Sequence, residues 1–291
     1  MEDKINKILI DLKRLVQDVE DVKKEFDKKI EFNDDLRYQK IKTMLESDDW
    51  PQAIPDEMII NNTNQEEKLE RAENIINLLF DENNIKNINF LDFGCGEGHV
   101  VKKMSQYTNE AYGYDIVDNF QSFNNLNLYT SINELKGKKF DIILAFDVID
   151  HVDDPVTVLH EMRNLLKNDG KIYIRCHPWS SRHGGHVYKK INKAFAHLFL
   201  NEKEYKKLSD SQVKNKVLFP IKTYREYFEQ SQLNVIEEEI HKQELENYFS
   251  KNKILRHELN FIFETNGVFP SIQLKQNFVD FILTKKDNHE K

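Results

Sequence analysis

The sequence predicts an α/β fold in which a mostly parallel sheet carries helices on both faces. From about residue 65 onward, short apolar strands alternate with amphipathic helical segments, the order in which crossover helices build parallel sheets. The first of those strands, in Asn89-Phe-Leu-Asp-Phe, runs directly into a glycine-rich turn and then a helix. The chain of 291 residues is long enough for one large core plus an appended element, and its 32% charged residues suit helices with solvated faces.

Ahead of that domain the apolar residues Ile5, Ile8, Leu12, Leu15, Val19, Val22 and Phe26 fall at alternating steps of three and four. This a/d heptad predicts a coiled-coil oligomerisation segment over residues 1–47, with a helix folded back on its own domain as the alternative. Pro51 and Pro55 end the helical pattern and mark residues 48–64 as a linker. Gln65 to Leu79 then reads as an amphipathic helix with Leu69, Ala72, Ile75, Ile76 and Leu79 on one face. Strands follow in Ile88–Phe93, Ala111–Ile116, Leu126–Thr130, Phe140–Ile149 and Lys171–His177, with helices from His99 and Pro155 between them. A largely helical insertion is expected over 178–230, before two late strands in Asn234–Ile240 and Phe278–Lys286.

No stretch approaches the roughly 18 uninterrupted apolar residues of a membrane span, and the start Met-Glu-Asp-Lys-Ile-Asn-Lys is not a secretory signal. The chain therefore reads as soluble and cytoplasmic, with no membrane partner. Cys95 and Cys176 do not form a spaced framework, so no structural disulfide is expected. A net charge of −8 argues against wholesale nucleic-acid binding. Locally the balance reverses, because residues 175–225 hold 12 Lys/Arg against 3 Asp/Glu.

The informative segment is Asp92-Phe-Gly-Cys-Gly-Glu-Gly-His99. Gly94, Gly96 and Gly98 follow G-x-G-x-G rather than the G-x-G-x-x-G of dinucleotide folds, with Asp92 two residues ahead of the first glycine. Asp115 ends the next strand about twenty residues on, where an acid can accept hydrogen bonds from ribose hydroxyls. A nicotinamide-dinucleotide reading predicts the same acid, so Asp115 alone does not decide. Further on stand the apolar strand and Asp150-His151 pair of Phe140–Pro155, and Leu-Leu-Lys-Asn-Asp-Gly-Lys-Ile-Tyr-Ile.

Taken in order, these motifs resemble the class I, Rossmann-like S-adenosylmethionine-dependent methyltransferases from about Gln65 to His177, and the rest only in outline. The resemblance implies a mostly parallel seven-stranded sheet closed by an antiparallel hairpin. It implies S-adenosyl-L-methionine as cofactor and S-adenosyl-L-homocysteine as product. It places Asp92 near the methionine amino group, the three glycines against the cofactor, Asp115 and Ile116 at the ribose, Ser131 (with Thr130) near adenine, and Phe146 and Asp147 alongside. It also puts His151 on the acceptor side.

Methyl transfer mainly demands alignment and exclusion of water, and a base is optional. His151, His183 and His186 are the candidate catalytic histidines. The loop after the fifth strand offers His177, Trp179, Arg182 and Tyr188 as an acceptor-binding set, with Arg182 suited to an anionic group and Trp179 or Tyr188 to stacking. His177, His183 and His186, with Cys176, have the types of metal ligands but no zinc spacing, so no metal is assigned. His197 reads as a satisfied structural histidine. The leading expectation is a methyltransferase for a small sugar, nucleotide-sugar or natural-product-like acceptor. The alternatives are an RNA or protein methyltransferase docking through 175–225, and a non-catalytic cofactor-binding scaffold.

Overall fold

A computed structural model describes residues 17, 20, 36, 38–39, 41–43, 45–47, 50–54, 64–79, 87–108, 110–120, 123, 125–200, 204, 221–242 and 276–286. The heptad positions Ile5 to Phe26 lie outside the described residues, as do residues 205–220 of the basic segment.

Helix α1 (Gln65–Leu79) begins where Asn64 Oδ1 accepts the Glu67 N–H at 2.8 Å, an N-terminal cap reinforced by Glu66 and Glu67 in the first turn. It buries Ala72, Ile75 and Ile76. There follow β1 (Phe90–Phe93), α2 (His99–Met104), β2 (Ala111–Tyr114), β3 (Asn127–Tyr129), β4 (Phe140–Phe146), α3 (Pro155–Leu165) and β5 (Leu166–Cys176). The short helix α4 (Ala196–Phe199), then α5 (Ile221–Gln230), β6 (Leu233–Lys242) and β7 (Gln276–Lys285) complete the described elements. Asp154 caps α3 by accepting the Thr157 N–H at 3.1 Å, and Pro155 stands at the first helical position, where its missing N–H costs nothing.

The seven strands lie in the order β3-β2-β1-β4-β5-β7-β6. Strands β1 to β5 run parallel, while β7 is antiparallel to both β5 and β6. The mostly parallel, Rossmann-like sheet expected from the sequence is therefore present, including its antiparallel edge. Alternate residues of the central strands enter opposite layers: Leu91 and Ile143 join Leu159, Met162 and Phe281 on one face, Phe90 and Leu144 join Ile76, Val101 and Met104 on the other. Burial on both faces explains why these strands read as continuous apolar runs.

Two expectations are corrected. Residues 178–200 form mostly turns, with one 3-10 turn at Val187–Lys189 and the four-residue α4, rather than a long helix. Helix α5 is not insertion either, because Ile221, Tyr224 and Phe228 are buried in the main core with Phe281. The expected linker also differs. Trp50 is buried beside Ile41, Leu45, Phe195 and Phe199, its indole N–H donates to the Ala194 carbonyl at 2.8 Å, and Ala194 N–H donates to the Pro51 carbonyl at 2.8 Å. An aromatic residue next to a proline supplies an anchor for folding back that the prolines alone conceal. Among the described residues no helix is long and apolar enough to cross a membrane.

Candidate active site

The carboxyl ends of β1, β2, β4 and β5 lie at one edge of the sheet, the edge at which open α/β sheets bind ligands. There the turn after β1 is tied to β2: the Gly94 and Cys95 N–H groups donate to the Tyr114 carbonyl at 2.7 and 3.0 Å, and Gly96 N–H donates to Asp115 Oδ2 at 2.8 Å. Gly94 has φ +81°, and a Cβ on it would stand 2.4 Å from Val148 Cγ2. Gly96 has φ +55°, but a Cβ there meets nothing within 4 Å, since it would point into open space.

That space belongs to a cavity of about 300 Å³ between the glycine turn and α1, lined by Lys68, Arg71, Ala72 and Ile75 from the helix and by Asp92, Glu97, His99 and Phe146 opposite. Asp92 is 4% exposed, and burial, then the charge of Asp115, pushes its carboxyl up to about 7. A buried carboxyl without a neighbouring cation is an acceptor prepared for a cationic ligand. Lys68 is already engaged, bonding Glu97 at 2.6 Å and holding that carboxyl below its usual range. His99 Nε2 meets Gln65 Oε1 at 2.7 Å.

Next to this cavity the turns after β4 and β5 converge. Asp147, directly after Phe146, lies 3.2 Å from His177 Nε2, and His177 Nδ1 lies 3.0 Å from His183 Nε2. Burial lowers the affinity of His177 for a proton, but the Asp147 carboxylate outweighs it and the value is raised; Asp147 is correspondingly lowered, against its own burial. For His183, burial and then the charge of His177 hold the imidazole well below its ordinary value, so it is neutral at neutral pH. His186 Nε2 and His151 Nε2 stand 3.5 and 3.7 Å from Asp150 Oδ2.

The chain matches the methyltransferase-domain family over residues 64–238, more than half of its length. It belongs to the S-adenosylmethionine-dependent class I methyltransferases. Over 101 residues it is 28% identical to the ubiquinone biosynthesis O-methyltransferase of Haemophilus ducreyi, a match covering 29% of this chain and 43% of that protein. With the protein of the same description from Glaesserella parasuis it shares 32% identity over 101 residues, covering 29% and 43%. It thus spans about two fifths of the length of these curated relatives. Among solved structures it is similar to the O-methyltransferase from a trans-AT PKS multienzyme of Brevibacillus brevis in complex with S-adenosyl-L-homocysteine (TM-score 0.46, 16% identity, 81% of this chain and 82% of that one). A SAM-dependent methyltransferase from Archaeoglobus fulgidus gives a TM-score of 0.45 at 16% identity, covering 77% and 96%.

The methyltransferase cofactor fits this cavity, because the open space at Gly96 accepts a ligand where a side chain would stand and Asp92 offers a buried acid to an ammonium group. Of the residues expected at the cofactor, Asp92, Gly94, Gly96 and Phe146 line the cavity, whereas Gly98, Asp115, Ile116, Ser131 and Asp147 do not. Asp115 instead braces the turn, accepting from Gly96 N–H and, at 3.0 Å, from Val117 N–H, which leaves each oxygen a further lone pair. Ile116 is 79% exposed beside it. Ser131 leads into the 3-10 turn Ile132–Leu135, its N–H donating to Glu134 Oε2 at 3.3 Å.

The turns after β4 and β5 bring together His151, His177, His183, His186 and Tyr188, whose ring lies 6.1 Å from that of His186. Trp179 does not belong with them; it packs on the Trp50 cluster, and its carbonyl lies 2.6 Å from His197 Nε2. His197 is buried with Nε2 engaged but Nδ1 without a hydrogen-bond partner among the described residues, so it is only half satisfied, and burial pushes it down to about 4. Cys176 is buried, and that burial raises its thiol well above the ordinary value. Of the described basic residues of 175–225, Arg175 pairs with Asp280, Arg225 with Glu238, and Lys193 with the Ser47 and Trp50 carbonyls, while the Arg182 Nε atom is buried without a hydrogen-bond partner among the described residues and Lys222 is exposed. Sequence reading missed Lys68 and Arg71; their place on the α1 turn before the buried Ala72 and Ile75 was the available signal.

Proposed function

We propose that this chain methylates an acidic hydroxyl, phenolic or enolic, on a small acceptor presented to the histidine cluster. The bound cofactor supplies an electrophilic sulfonium methyl; Asp92 binds its ammonium end, the glycine turn approaches its backbone-facing side, and α1 excludes water. The observation that supports the reading best is the series Asp147–His177–His183, which starts one residue after Phe146 of the cavity wall.

His183 Nδ1 is buried with no hydrogen-bond partner among the described residues, and the ring is neutral. It is therefore free to take the hydroxyl proton. The nearby Asp147 carboxylate favours the positive charge so formed. A histidine held below its ordinary value is a weak base, which suits an acidic hydroxyl and not an alkyl alcohol. The O-methyltransferase descriptions of the curated relatives agree with transfer to oxygen. Internal pairing of Arg175, Arg225 and Lys193 supports a small acceptor over a nucleic acid.

Formation of S-adenosylhomocysteine is the test, using phenolic, alkyl-hydroxyl and amine acceptors of matched size. Phenols should turn over fastest, and His183→Asn should lower kcat by roughly 10²-fold or more while leaving cofactor affinity unchanged. Preferred turnover of amines, or parent-like kcat in the variant, would exclude the reading.

A further inference from the structure

We infer that Asp150, His151 and His186 form a binding site for one divalent first-row transition-metal ion of the zinc type. The site stands on its own geometry and does not depend on the nature of the acceptor. One donor atom from each residue, two imidazole nitrogens and a carboxylate oxygen, lies within 4.8 Å of the other two.

Asp150 is 8% exposed, and neither of its carboxylate oxygens has a hydrogen-bond partner among the described residues; the same holds for His186 Nε2. A buried carboxylate without hydrogen bonds or a paired cation is costly, so native proteins satisfy such groups. The histidines do not satisfy it themselves. Their Nε2 atoms stand 3.5 and 3.7 Å from Asp150 Oδ2, too far for good hydrogen bonds. Two donors each about 2.0–2.2 Å from a shared ion at a tetrahedral angle are roughly 3.4 Å apart, which is close to those separations. The two imidazoles meet edge to face at 84° with centroids 4.5 Å apart and do not stack on one another.

Backbone geometry holds the three donors. Asp150 and His151 ride the turn after β4, where His151 N–H donates to the Val148 carbonyl at 2.9 Å. His186 comes from the turn after β5 in a left-handed conformation, φ +53°, with its N–H donating to the His183 carbonyl at 2.9 Å. A Cβ at Gly185 would lie 2.1 Å from His197 Cβ, so the glycine allows this turn to close against His197 of α4. Two imidazoles and one carboxylate select zinc-like ions over magnesium or calcium, which take all-oxygen sets. Three protein ligands leave the fourth position open.

A second carboxylate–histidine group, Glu239, His241 and Asp280, lacks these properties. There His241 Nε2 already bonds Asp280 Oδ2 at 2.8 Å, Asp280 is held by Arg175, and the Glu239 side chain is 68% exposed.

The experiment is a titration of chelator-treated full-length protein with Co²⁺, read by visible absorption, followed by displacement with Zn²⁺. One equivalent should produce the intense bands of low-coordinate Co²⁺, and Zn²⁺ should abolish them. Asp150→Asn and His186→Asn should each weaken binding by at least about 100-fold, since loss of a ligand exceeds loss of a supporting contact. His241→Asn should bind like the parent, and circular dichroism establishes that each variant is folded. Absence of both the bands and calorimetric Zn²⁺ binding in the parent protein would overturn the site, whatever the variants do. Bands that survive both Asp150→Asn and His186→Asn, or vanish in His241→Asn, would overturn it equally.

Discussion

Asp92 shows how a binding residue strains the fold that holds it. Its carboxyl sits at about 7 in the folded chain against an ordinary 3.8, so keeping it charged inside the protein costs stability. Because the folded value is the higher one, the stabilising contribution is complete below about pH 3.8 and is lost as pH rises through 7. Asp92→Asn should therefore gain on the parent between pH 4 and 7, by on the order of 4 kcal/mol, and hold that gain above pH 7. Denaturant titrations at several pH values measure it. The same variant should bind S-adenosylmethionine more weakly by calorimetry; equal affinity would remove Asp92 from the site. The glycines separate in the same way. Gly94→Ala should destabilise by about 1–3 kcal/mol through left-handed backbone strain and the Val148 collision. Gly96→Ala should cost only the left-handed backbone strain, about 1–2 kcal/mol, because its Cβ meets nothing within 4 Å in the protein, yet it should lose cofactor affinity at least tenfold. Asp92 and these glycines were legible in the sequence, since motif spacing is local. The Asp147–His177 pair was not, because the β4–β5 register, with Phe146 opposite Arg175, is what brings them together.

At the scale of elements, local signals were reliable where one residue acts on its own neighbours. Asp154 followed by Pro155 starts α3 where expected, with Thr157 N–H and Oγ1 both donating to the Asp154 carboxylate. Those bonds hold its value below 3.8, so the stability they add is present above that pH and fades as pH falls through the depressed value. Asp154→Ala should lower the denaturation midpoint at pH 7 with an unchanged m-value, and the difference should shrink in strong acid. An equal deficit at all pH values would assign the effect to helix propensity instead of the cap. Residues 178–200 were misread as helical because no local pattern reveals how this segment packs. Gly184 and Gly185 decide that segment, since a Cβ on either would strike backbone or His197 at under 2.5 Å.

For the molecule as a whole, the described part of the N-terminal region belongs with the domain. Ile41, Leu45 and Trp50 close an apolar cluster over Phe195 and Phe199, with Trp50 and Phe199 in edge contact at 5.2 Å. Trp50→Ala should cost about 3 kcal/mol or more and expose the 187–200 loop to proteolysis; a parent-like Tm would show that this cluster contributes little. The heptad of Ile5 to Phe26 remains a proposal for self-association. Deleting residues 1–30 should reduce the solution mass to that of a monomer by light scattering, and an unchanged mass would refute pairing through that helix.

The succession of strands and helices along the chain and the glycine turn with Asp92 followed from the sequence, because each depends on residues close together in the chain or on a repeating period, and the cofactor class followed from the family resemblance that those motifs carry. Which histidine faces which carboxylate, the closure of the cavity by Lys68 and Arg71, and the burial of Trp50 came from tertiary structure. These depend on register between strands and on packing between segments more than a hundred residues apart, such as Trp50 and Ala194, and no local pattern encodes such distances.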